Sequence, residues 1–438
     1  MRPPRDVTTF TPLDPDTAPA PASLQAVREG AQARFEQGPL PTEHDEIWRY
    51  SRIGDLRPDA YTPGGRGLPL GQREGPGGAQ GAPAPPPVQR VLDLIGACSA
   101  FVLTIDGAIA SVEAGQAPPG LRVGAVRDGD PVGSLTSAVR PWDAYVELST
   151  AQAPSPIVID VGDNSIVEAP VVVCHWMATR DAVTFPRTLV RAGASSQVKV
   201  VEYLLSADIA CWVDPVTEVV VGEGGQVDHL VVQELGPRVW QTAYLTSEVG
   251  RAGALRSFTV ALGGEYARVR TDSRIIGAGG GAELLALYCG DGTQMHDFRT
   301  LQDHEAPKST SELVFKGAVQ DEASSAYSGM IHVHRGAAGT SAFQTNRTLV
   351  LSDTGLATYS VPNLDIEEND VSCSHASATG PIDADQRFYL ESRGVPTEVA
   401  ERLIVLGFFD DLLRRLPVPG LRRSLGEAVG VKLRVSGG

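Results

Sequence analysis

The sequence has few cysteines and no closely spaced pair of them. Its five cysteines lie at positions 98, 174, 211, 289 and 373, and no C-x-x-C motif occurs. Zinc ribbons and ferredoxin-type sites need thiolates a few residues apart, so the chain does not hold such a site by itself. The odd, scattered set also argues against a disulfide framework. Any soft metal held here must take ligands from distant segments or from a second protein.

Long apolar runs and net positive charge are also absent. No stretch of 18 apolar residues occurs, and the first residues, MRPPRDVTTFTPLDPD, lack the apolar core of a signal peptide. The formal net charge is −16, from 37 Lys and Arg against 53 Asp and Glu. Such a charge argues against a protein that binds nucleic acid or an anionic membrane by neutralising phosphates. We therefore expect a cytoplasmic protein without a nucleic-acid or membrane partner.

Common motifs of nucleotide-binding proteins and hydrolases are missing too. The chain has no P-loop lysine motif and no Gly-x-Ser-x-Gly nucleophile elbow. The Gly-rich string GAGGGAELL, residues 277–285, precedes an apparent strand and is interpreted as a turn. These absences argue against a nucleotide-hydrolysing site and give little support to a hydrolase.

What the sequence does contain is a long series of short, β-branched apolar runs. Runs such as AFVLTID, QVKVVEYLL and NRTLVLSD are separated by Gly, Asp, Asn and Ser. They recur at a spacing of roughly 10 to 15 residues with almost no helical periodicity between them, which is typical of an all-β region. A large β-sandwich and a β-solenoid both fit this pattern. We favour the solenoid, because its elongated core accommodates roughly 200 residues of strand in one unit.

The same patterns predict four regions along the chain. Residues 1–56 are predicted to form an N-terminal helical region, and the Gly/Pro-rich residues 57–89 a flexible segment. Residues 90–382 are predicted to form the β-solenoid core, and residues 383–438 a helical C-terminal domain.

The C-terminal domain contains one amphipathic helix, PTEVAERLIVLGFFDDLLRRLP. Its apolar positions recur at helical spacing and share one face: Val405, Phe408, Phe409, Leu412, Leu413 and Leu416. Glutamates near its start and arginines near its end complement the helix dipole. Such a face must dock on the core or on another protein.

Four histidines form the first set of candidate metal ligands. They are His296, His304, His332 and His334, and the last two stand in an H-x-H pattern that points both imidazoles to one side of a strand. These residues support a cupin-like or solenoid metalloprotein as one hypothesis. The alternative is that they are ordinary turn and edge residues of a solenoid.

A thiol and an imidazole form the second candidate site. Cys373 and His375 lie two residues apart in DVSCSHASATGPID, residues 370–383, so an extended backbone places both on one side. The pair is half of a soft-metal site, a nucleophile with its base, or ordinary packing. Spacing alone leaves these three interpretations open.

The region from about residue 295 to residue 410 resembles the SufB/SufD family of iron–sulfur cluster assembly proteins. The resemblance rests on three strings in order: HDFRTLQDHEAPKSTSELVFKGAVQDEASSAYSGMIHV, FQTNRTLVLSDTGLATYSVPNLDIEENDVSCSHASATGPID, and FYLESRGV. EIWRYSRI, near residue 46, extends it over most of the chain apart from the Gly/Pro-rich segment. Within the family, PNLDIEENDVSCSH followed by FYLESRG looks like the SufD branch.

The resemblance implies a mainly β fold, a right-handed parallel β-helix flanked by N-terminal and C-terminal helical regions. It also implies a non-enzymatic subunit of a SufB–SufC–SufD scaffold complex for iron–sulfur cluster assembly. Such a subunit pairs with a SufB-like protein through the β-helix. It binds a SufC-like protein, which supplies the ATPase activity, through its C-terminal helices, so the apolar face described above is predicted to bind that partner.

The family's interface histidine falls on His375 and its neighbouring cysteine on Cys373. By this resemblance they are half of a metal or cluster site that the SufB-like partner completes. We then expect no cofactor tightly bound by the isolated chain and a transient iron–sulfur cluster in the complex. FADH2 is a candidate cofactor of the complex, and a homodimer is a candidate state of the isolated chain.

Family members usually have Gly after the histidine that corresponds to His375, where this chain has Ala376. Besides the scaffold subunit and the metalloprotein, the remaining hypothesis is a purely structural β-solenoid adaptor.

Overall fold

The computed structural model describes residues 21–64, 84–114, 117–131, 142–154, 156–352 and 358–432. Most of the segment predicted to be flexible, residues 65–83, lies outside the described residues, as do both ends of the chain. Within the described ranges, no helix is both long and apolar enough to cross a membrane.

The described part of the chain contains six α-helices and several short 3-10 helices. The α-helices are α1 (Ala22–Gln37), α2 (Pro86–Ile95), α3 (Ala144–Gln152), α4 (Ala384–Ser392), α5 (Thr397–Arg414) and α6 (Gly420–Lys432). The 3-10 helices are Glu46–Trp48, Ile53–Asp55 and Pro58–Ala60. The helix α1 and the 3-10 helices precede the first strand, α2 and α3 lie between early strands, and α4, α5 and α6 follow the last strand.

The strands account for most of the chain between these helices. In chain order they are β1 (Thr62–Pro63), β2 (Ala100–Ile105), β3 (Ala108–Ala114), β4 (Leu121–Ala125), β5 (Ile157–Val161), β6 (Val171–Met177), β7 (Ala182–Thr184), β8 (Arg187–Ala192), β9 (Gln197–Ser206), β10 (Cys211–Val213), β11 (Val216–Val221), β12 (Gln226–Glu234), β13 (Val239–Val249), β14 (Ala254–Ala261), β15 (Tyr266–Ile275), β16 (Gly281–Gly290), β17 (Met295–His304), β18 (Thr310–Val319), β19 (Ser324–Val333), β20 (Thr340–Val350), β21 (Thr358–Ile366) and β22 (Val371–Gly380).

These strands form two sheets that face each other. Sheet A follows the order β21-β19-β17-β15-β13-β11-β8-β5-β4, with β1, β7 and β10 attached beside it. Sheet B follows the order β22-β20-β18-β16-β14-β12-β9-β6-β2-β3. From β5 onward the chain passes back and forth between the two sheets.

Each strand of this series lies parallel to the strand one turn earlier. Tyr266 pairs with Met295, and Met295 pairs with Ser324, so one turn takes 29 residues at this point. About eight such turns stack into a two-sided β-solenoid. The predicted β-helix core is thereby confirmed. The alternative of a β-sandwich does not hold, because sandwiches are built from antiparallel sheets.

Side chains from both sheets fill the interior of the solenoid. In the earlier turns they are mainly valines, as at Val173, Val200 and Val219. In the later turns aromatic rings take over, and the Tyr288 ring lies over Gly317 in the neighbouring strand. A Cβ on Gly317 would come within 2.0 Å of that ring, so only glycine fits there.

Helical segments cover both outer faces. Helices α2, α5 and α6 pack on the outer face of sheet B. On sheet A, the segment around Trp48 is held by Arg268, whose guanidinium lies 3.7 Å from the Trp48 ring centroid and donates to the Ile47 carbonyl at 2.6 Å. Tyr50 then stacks on Tyr359 of β21 at 4.3 Å, which connects this segment to the last turn. The EIWRYSRI string therefore lies against sheet A.

The two ends of the solenoid differ. At the N-terminal end β3 pairs antiparallel with β2, and β4 pairs antiparallel with β5, so reversed strands close the stack. At the other end β21 and β22 each have a paired strand on one side only among the described strands. Leu364 and Ile366 continue the inward-facing row of β19, yet they are 38% and 40% exposed. The C-terminal end is thus an uncapped edge.

One buried carboxylate in the interior is surrounded by donors. Glu202 accepts hydrogen bonds from His229 at 2.7 Å, Thr188 at 2.7 Å and Thr217 at 2.8 Å, and His175 lies at 3.3 Å. Burial by itself raises the pKa of this carboxyl, but the bonds from His175 and His229 outweigh it and lower the pKa below its ordinary value. The charged carboxylate therefore ties together five strands across the interior.

We expect the Glu202→Gln variant to lose about 3 kcal/mol or more of unfolding free energy, because an amide leaves buried donors without an acceptor. Urea denaturation followed by tryptophan fluorescence measures this loss. Glu223→Gln is the matched control, since the Glu223 side chain is 56% exposed and pairs with Arg251 on the surface. That control should change stability by less than about 0.5 kcal/mol. Equal losses in the two variants would contradict the role assigned to Glu202.

Candidate functional site

Cys373 and His375 lie on β22, the terminal strand of sheet B. Cys373 pairs with Ala342 of β20, and His375 pairs with Gln344. Both partners face the interior, so the thiol and the imidazole share the side of β22 that continues it. At the uncapped edge, His375 is exposed and Cys373 is half-buried. The structure thus places both residues where another strand could cover them.

The Cys373 thiol is not activated as a nucleophile. Burial raises the pKa of this thiol above its ordinary value, and a backbone hydrogen bond from Ala342 offsets that only in part. The side chain packs beside Ile331 and Val333 in a small aliphatic cluster. A protonated thiol in apolar surroundings reacts slowly, which weakens the hypothesis of a cysteine–histidine nucleophile.

Polar side chains fill the interior directly beneath His375. Gln344 is buried, and neither its amide nitrogen nor its amide oxygen has a hydrogen-bond partner in the described chain. The amide oxygens of Gln302 and Asn346 are likewise buried and unpaired. Buried amides are normally satisfied, so these unpaired atoms make the interior of the last turns unusually polar. The terminal turn is therefore a polar cradle beneath an exposed imidazole.

The residue after His375 does not strain this strand. Ala376 lies within β22 opposite Thr345, and it is not among the described residues with positive φ. An extended backbone accepts alanine as readily as glycine. The departure from the Gly expected by resemblance is therefore compatible with the strand geometry.

The structure does not bring the four candidate histidines together. His296 and His304 both face the interior from β17, where a rise of about 3.3 Å per residue separates them by roughly 26 Å. Burial lowers the pKa of His296 to about 3 and that of His304 to about 4. His332 and His334 belong to the next turn of sheet A and face outward, so the four histidines lie in three separate places and form no common site.

His332 and His334 do lie side by side, as the H-x-H pattern predicts. Their ring centroids are 4.0 Å apart, and both rings contact the carboxylate of Asp303 on β17. Sequence reasoning did not select Asp303. The length of the turn identifies it, because residues 29 positions apart pair on neighbouring strands here and Asp303 thereby lies directly beside His332.

The apolar face of α5 is buried in the chain's own core. Val405, Phe409, Leu412, Leu413 and Leu416 are at most 6% exposed and pack on sheet B, and Phe408 is half-buried. The prediction that these six residues bind a partner is therefore corrected. The physical reason is that the outer face of sheet B is itself apolar, at Leu285 and Leu287 for example, and α5 covers it.

The exposed apolar side chains of the helical domain lie elsewhere. We call Phe388, Tyr389 and Leu403 the α4 surface; they are 70%, 57% and 47% exposed. No residue of α4 is buried. An ion pair of 3.1 Å between Arg387 and Glu401 ties α4 to α5 beside these side chains. A helix that buries nothing in its own chain is suited to contact another protein.

A groove of about 740 Å³ runs along the outer face of sheet B. Much of its lining is charged and already paired, since Arg256 binds both Asp228 and Glu283, and Arg415 binds Glu283 and Glu312. A flavin ring needs a largely apolar or aromatic surface. The residues present in this groove do not fit FADH2, and we derive no step through it.

Comparisons with known proteins show which family the chain is similar to. A protein-family model described as "SUF system FeS cluster assembly, SufBD core domain" matches residues 175–408. The chain is 33% identical over 326 residues to an iron–sulfur cluster assembly SufBD family protein of Mycobacterium tuberculosis, covering 73% of this chain and 81% of that protein. It is 30% identical over 289 residues to the iron–sulfur cluster assembly protein SufD of Bacillus subtilis, covering 63% of each. It is also 30% identical over 178 residues to SufD of Escherichia coli, covering 40% of this chain and 42% of that protein.

Native thiol labelling should separate the five cysteines into two classes. Cys98 and Cys373 are partly exposed, whereas Cys174, Cys211 and Cys289 are buried. We expect a maleimide to modify the first two in the native protein, and all five only after denaturation. Burial raises the pKa of both partly exposed thiols, so each should react more slowly than a free thiol.

Intact-mass spectrometry counts the adducts. Cys373→Ser and the matched Cys98→Ser variant should each remove one native adduct. Rapid native labelling of the three buried cysteines would contradict the burial described here.

Proposed function

Because the chain belongs to the SufBD family of iron–sulfur cluster assembly proteins, we propose that it is a SufD-type subunit of a SufB–SufC–SufD scaffold complex. It provides a surface for cluster assembly and is not itself an enzyme, and the ATPase activity belongs to its SufC-like partner. The observation that carries this proposal is the uncapped last turn of the solenoid, with His375 exposed on its edge strand.

The uncapped turn supports pairing with a SufB-like protein. Strands β21 and β22 present free backbone edges, and Leu364 and Ile366 leave the end of the interior partly exposed. A second solenoid with a complementary end continues both sheets and buries these side chains. A second copy of this chain continues the sheets and covers these side chains in part. A homodimer is therefore the proposed state of the chain when the SufB-like partner is absent.

The position of His375 and Cys373 supports a shared assembly site. The imidazole offers one ligand nitrogen at the edge, and the thiol two residues earlier becomes a ligand once a metal or the partner favours its thiolate. The SufB-like partner supplies the remaining ligands. The iron–sulfur cluster is cargo of the complex and is not tightly bound by this chain alone.

The α4 surface supports binding of the SufC-like ATPase. It lies in the C-terminal helical domain, which the resemblance assigns to this contact. Its three apolar residues are exposed, whereas the α5 residues that face sheet B, such as Phe409 and Leu412, are buried. Phe388 and Tyr389 are adjacent aromatic side chains of the kind that anchor protein interfaces.

The cytoplasm is the proposed compartment. All five cysteines are free in the structure, which suits a reducing environment. FADH2 stays a prediction for the assembled complex, without support from the described residues of this chain. We propose neither a nucleic-acid nor a membrane partner, in keeping with the net charge of −16.

We expect His375→Ala to leave the three-protein complex intact but to reduce its iron–sulfur cluster content by at least about tenfold, because a ligand at the shared edge is lost. The complex is purified anaerobically after co-expression with its SufB-like and SufC-like partners, and iron, sulfide and visible absorption are measured. His44→Ala, at an exposed histidine elsewhere, is the matched control. A normal cluster content in His375→Ala would favour a purely structural adaptor.

Substitutions on each of the two proposed partner surfaces should disrupt binding of only the partner assigned to that surface. Leu364→Asp with Ile366→Asp places charge on the uncapped edge and should abolish co-purification of the SufB-like protein, while the SufC-like protein still binds. Phe388→Asp with Tyr389→Asp should have the opposite effect. Pull-down of tagged full-length variants measures both contacts. If either pair of substitutions leaves its own partner bound, the surface assigned to that partner is wrong.

A further inference from the structure

We propose that Asp303, His332 and His334 form a binding site for one divalent first-row transition-metal ion on the outer face of sheet A. All three residues belong to this chain, so the inference goes beyond the proposed function and does not depend on it. The site is also separate from the edge residues Cys373 and His375, which lie on sheet B.

The ligand atoms are spaced as a metal ion requires. The Asp303 Oδ1 atom lies 3.0 Å from His332 Nδ1 and 2.8 Å from His334 Nε2. The ligand atoms of these three residues all lie within 4.8 Å of one another. Metal–ligand bonds of about 2.0–2.2 Å place neighbouring ligand atoms roughly 3.0–3.5 Å apart. A small movement of the rings is therefore enough to admit an ion between them.

The solenoid itself holds these residues together. Asp303 on β17 pairs with His332 on the neighbouring strand β19, so backbone pairing places these two ligands side by side. His334 joins them from the same side because it lies two residues beyond His332. Its backbone N–H donates to the His304 carbonyl at 3.0 Å, which keeps it in the ladder. The ligands are thus fixed by backbone pairing and not by loops.

Burial and access also suit a metal site. The Asp303 side chain is 12% exposed, whereas those of His332 and His334 are 24% and 38% exposed. The carboxylate is held in place while the imidazoles are reachable from solvent. Asp365 is 63% exposed, and its Oδ2 atom lies 3.9 Å from His332 Nε2. Because this is not the ring nitrogen that faces Asp303, Asp365 adds negative charge nearby but is not a ligand of the proposed ion.

The neighbouring charges do not oppose a cation. Arg274 lies next to Asp303 in the ladder, but it is engaged by Glu248 and by Glu305, the latter at 2.8 Å. Arg335, 88% exposed, points toward Glu367 at 4.0 Å. Each arginine is therefore offset by at least one glutamate, and the carboxylates of Asp303 in the site and Asp365 beside it remain as excess negative charge.

The donor set selects the class of metal. Two imidazole nitrogens with one or two carboxylates suit Zn²⁺, Co²⁺, Ni²⁺ or Fe²⁺. Ca²⁺ and Mg²⁺ prefer oxygen ligands alone, and Cu⁺ prefers thiolates and thioethers. Co²⁺ is the most informative probe, because its visible absorption reports the geometry of the ligands.

The experiment titrates purified, metal-free full-length protein with Co²⁺ and follows both visible absorption and binding heat. We expect one equivalent to bind to the wild type. The His332→Ala/His334→Ala variant should bind at least about 100-fold more weakly, because even outer-shell changes cost 10- to 100-fold. Asp303→Asn should lower the Co²⁺ affinity by a similar factor, because it removes the carboxylate charge while keeping the shape of the side chain.

Two control variants make the outcome decisive. Cys373→Ala/His375→Ala and His44→Ala should keep full Co²⁺ binding, and circular dichroism melting should show that every variant folds. If the wild type binds no Co²⁺, or if the His332→Ala/His334→Ala variant binds it as well as the wild type, the cluster is only a hydrogen-bonded surface group and the proposal is overturned. Loss of binding in Cys373→Ala/His375→Ala alone would place the metal at the edge of sheet B and would equally overturn it.

Discussion

The parallel pairing of each strand with the strand one turn away is the constraint on which the rest of the structure depends. Main-chain hydrogen bonds hold residues such as Tyr266, Met295 and Ser324 in one row, so side chains of equal register stack along the whole solenoid. The two ends of this stack of turns are built differently. At its N-terminal end antiparallel strands close it, whereas at its C-terminal end β21 and β22 have free edges among the strands that the structure describes. The position of the candidate site follows from that difference.

The content of the interior changes toward the open end. Valines fill the early turns, aromatic rings the later ones, and buried amides such as Gln344 lie next to the last strand. The apolar side chains of the early turns cover one another. At the open end, by contrast, buried amides lack hydrogen-bond partners and the aliphatic row is only half covered. In the proposed complex, a partner that continues the solenoid covers both, and His375 and Cys373 then lie at the boundary between the two chains.

The same stacking explains where sequence reasoning succeeded and where it failed. Within one strand, alternation decides which residues share a side, so the joint placement of His332 and His334, and of Cys373 and His375, was predictable. Asp303 was missed because its contact with His332 spans a full turn. The apolar face of α5 was recognised, but amphipathicity indicates only that a face must be covered. Sheet B of the same chain covers it, which leaves the α4 surface for a partner.

The sequence by itself determined the β-rich core, the helical ends, the pairs of residues that share a strand face and, through its ordered motifs, the resemblance to a family. These depend on local backbone geometry or on strings of neighbouring residues. Only the tertiary structure decided which turn stands beside which, that His296 and His304 are buried apart from His332, and that the solenoid is open at one end. The reason is that turn lengths vary along the solenoid: partners are 26 residues apart between Trp240 and Tyr266 but 33 apart between Ser325 and Thr358. Contacts between turns therefore depend on the summed length of the intervening strands and loops, which no local pattern records.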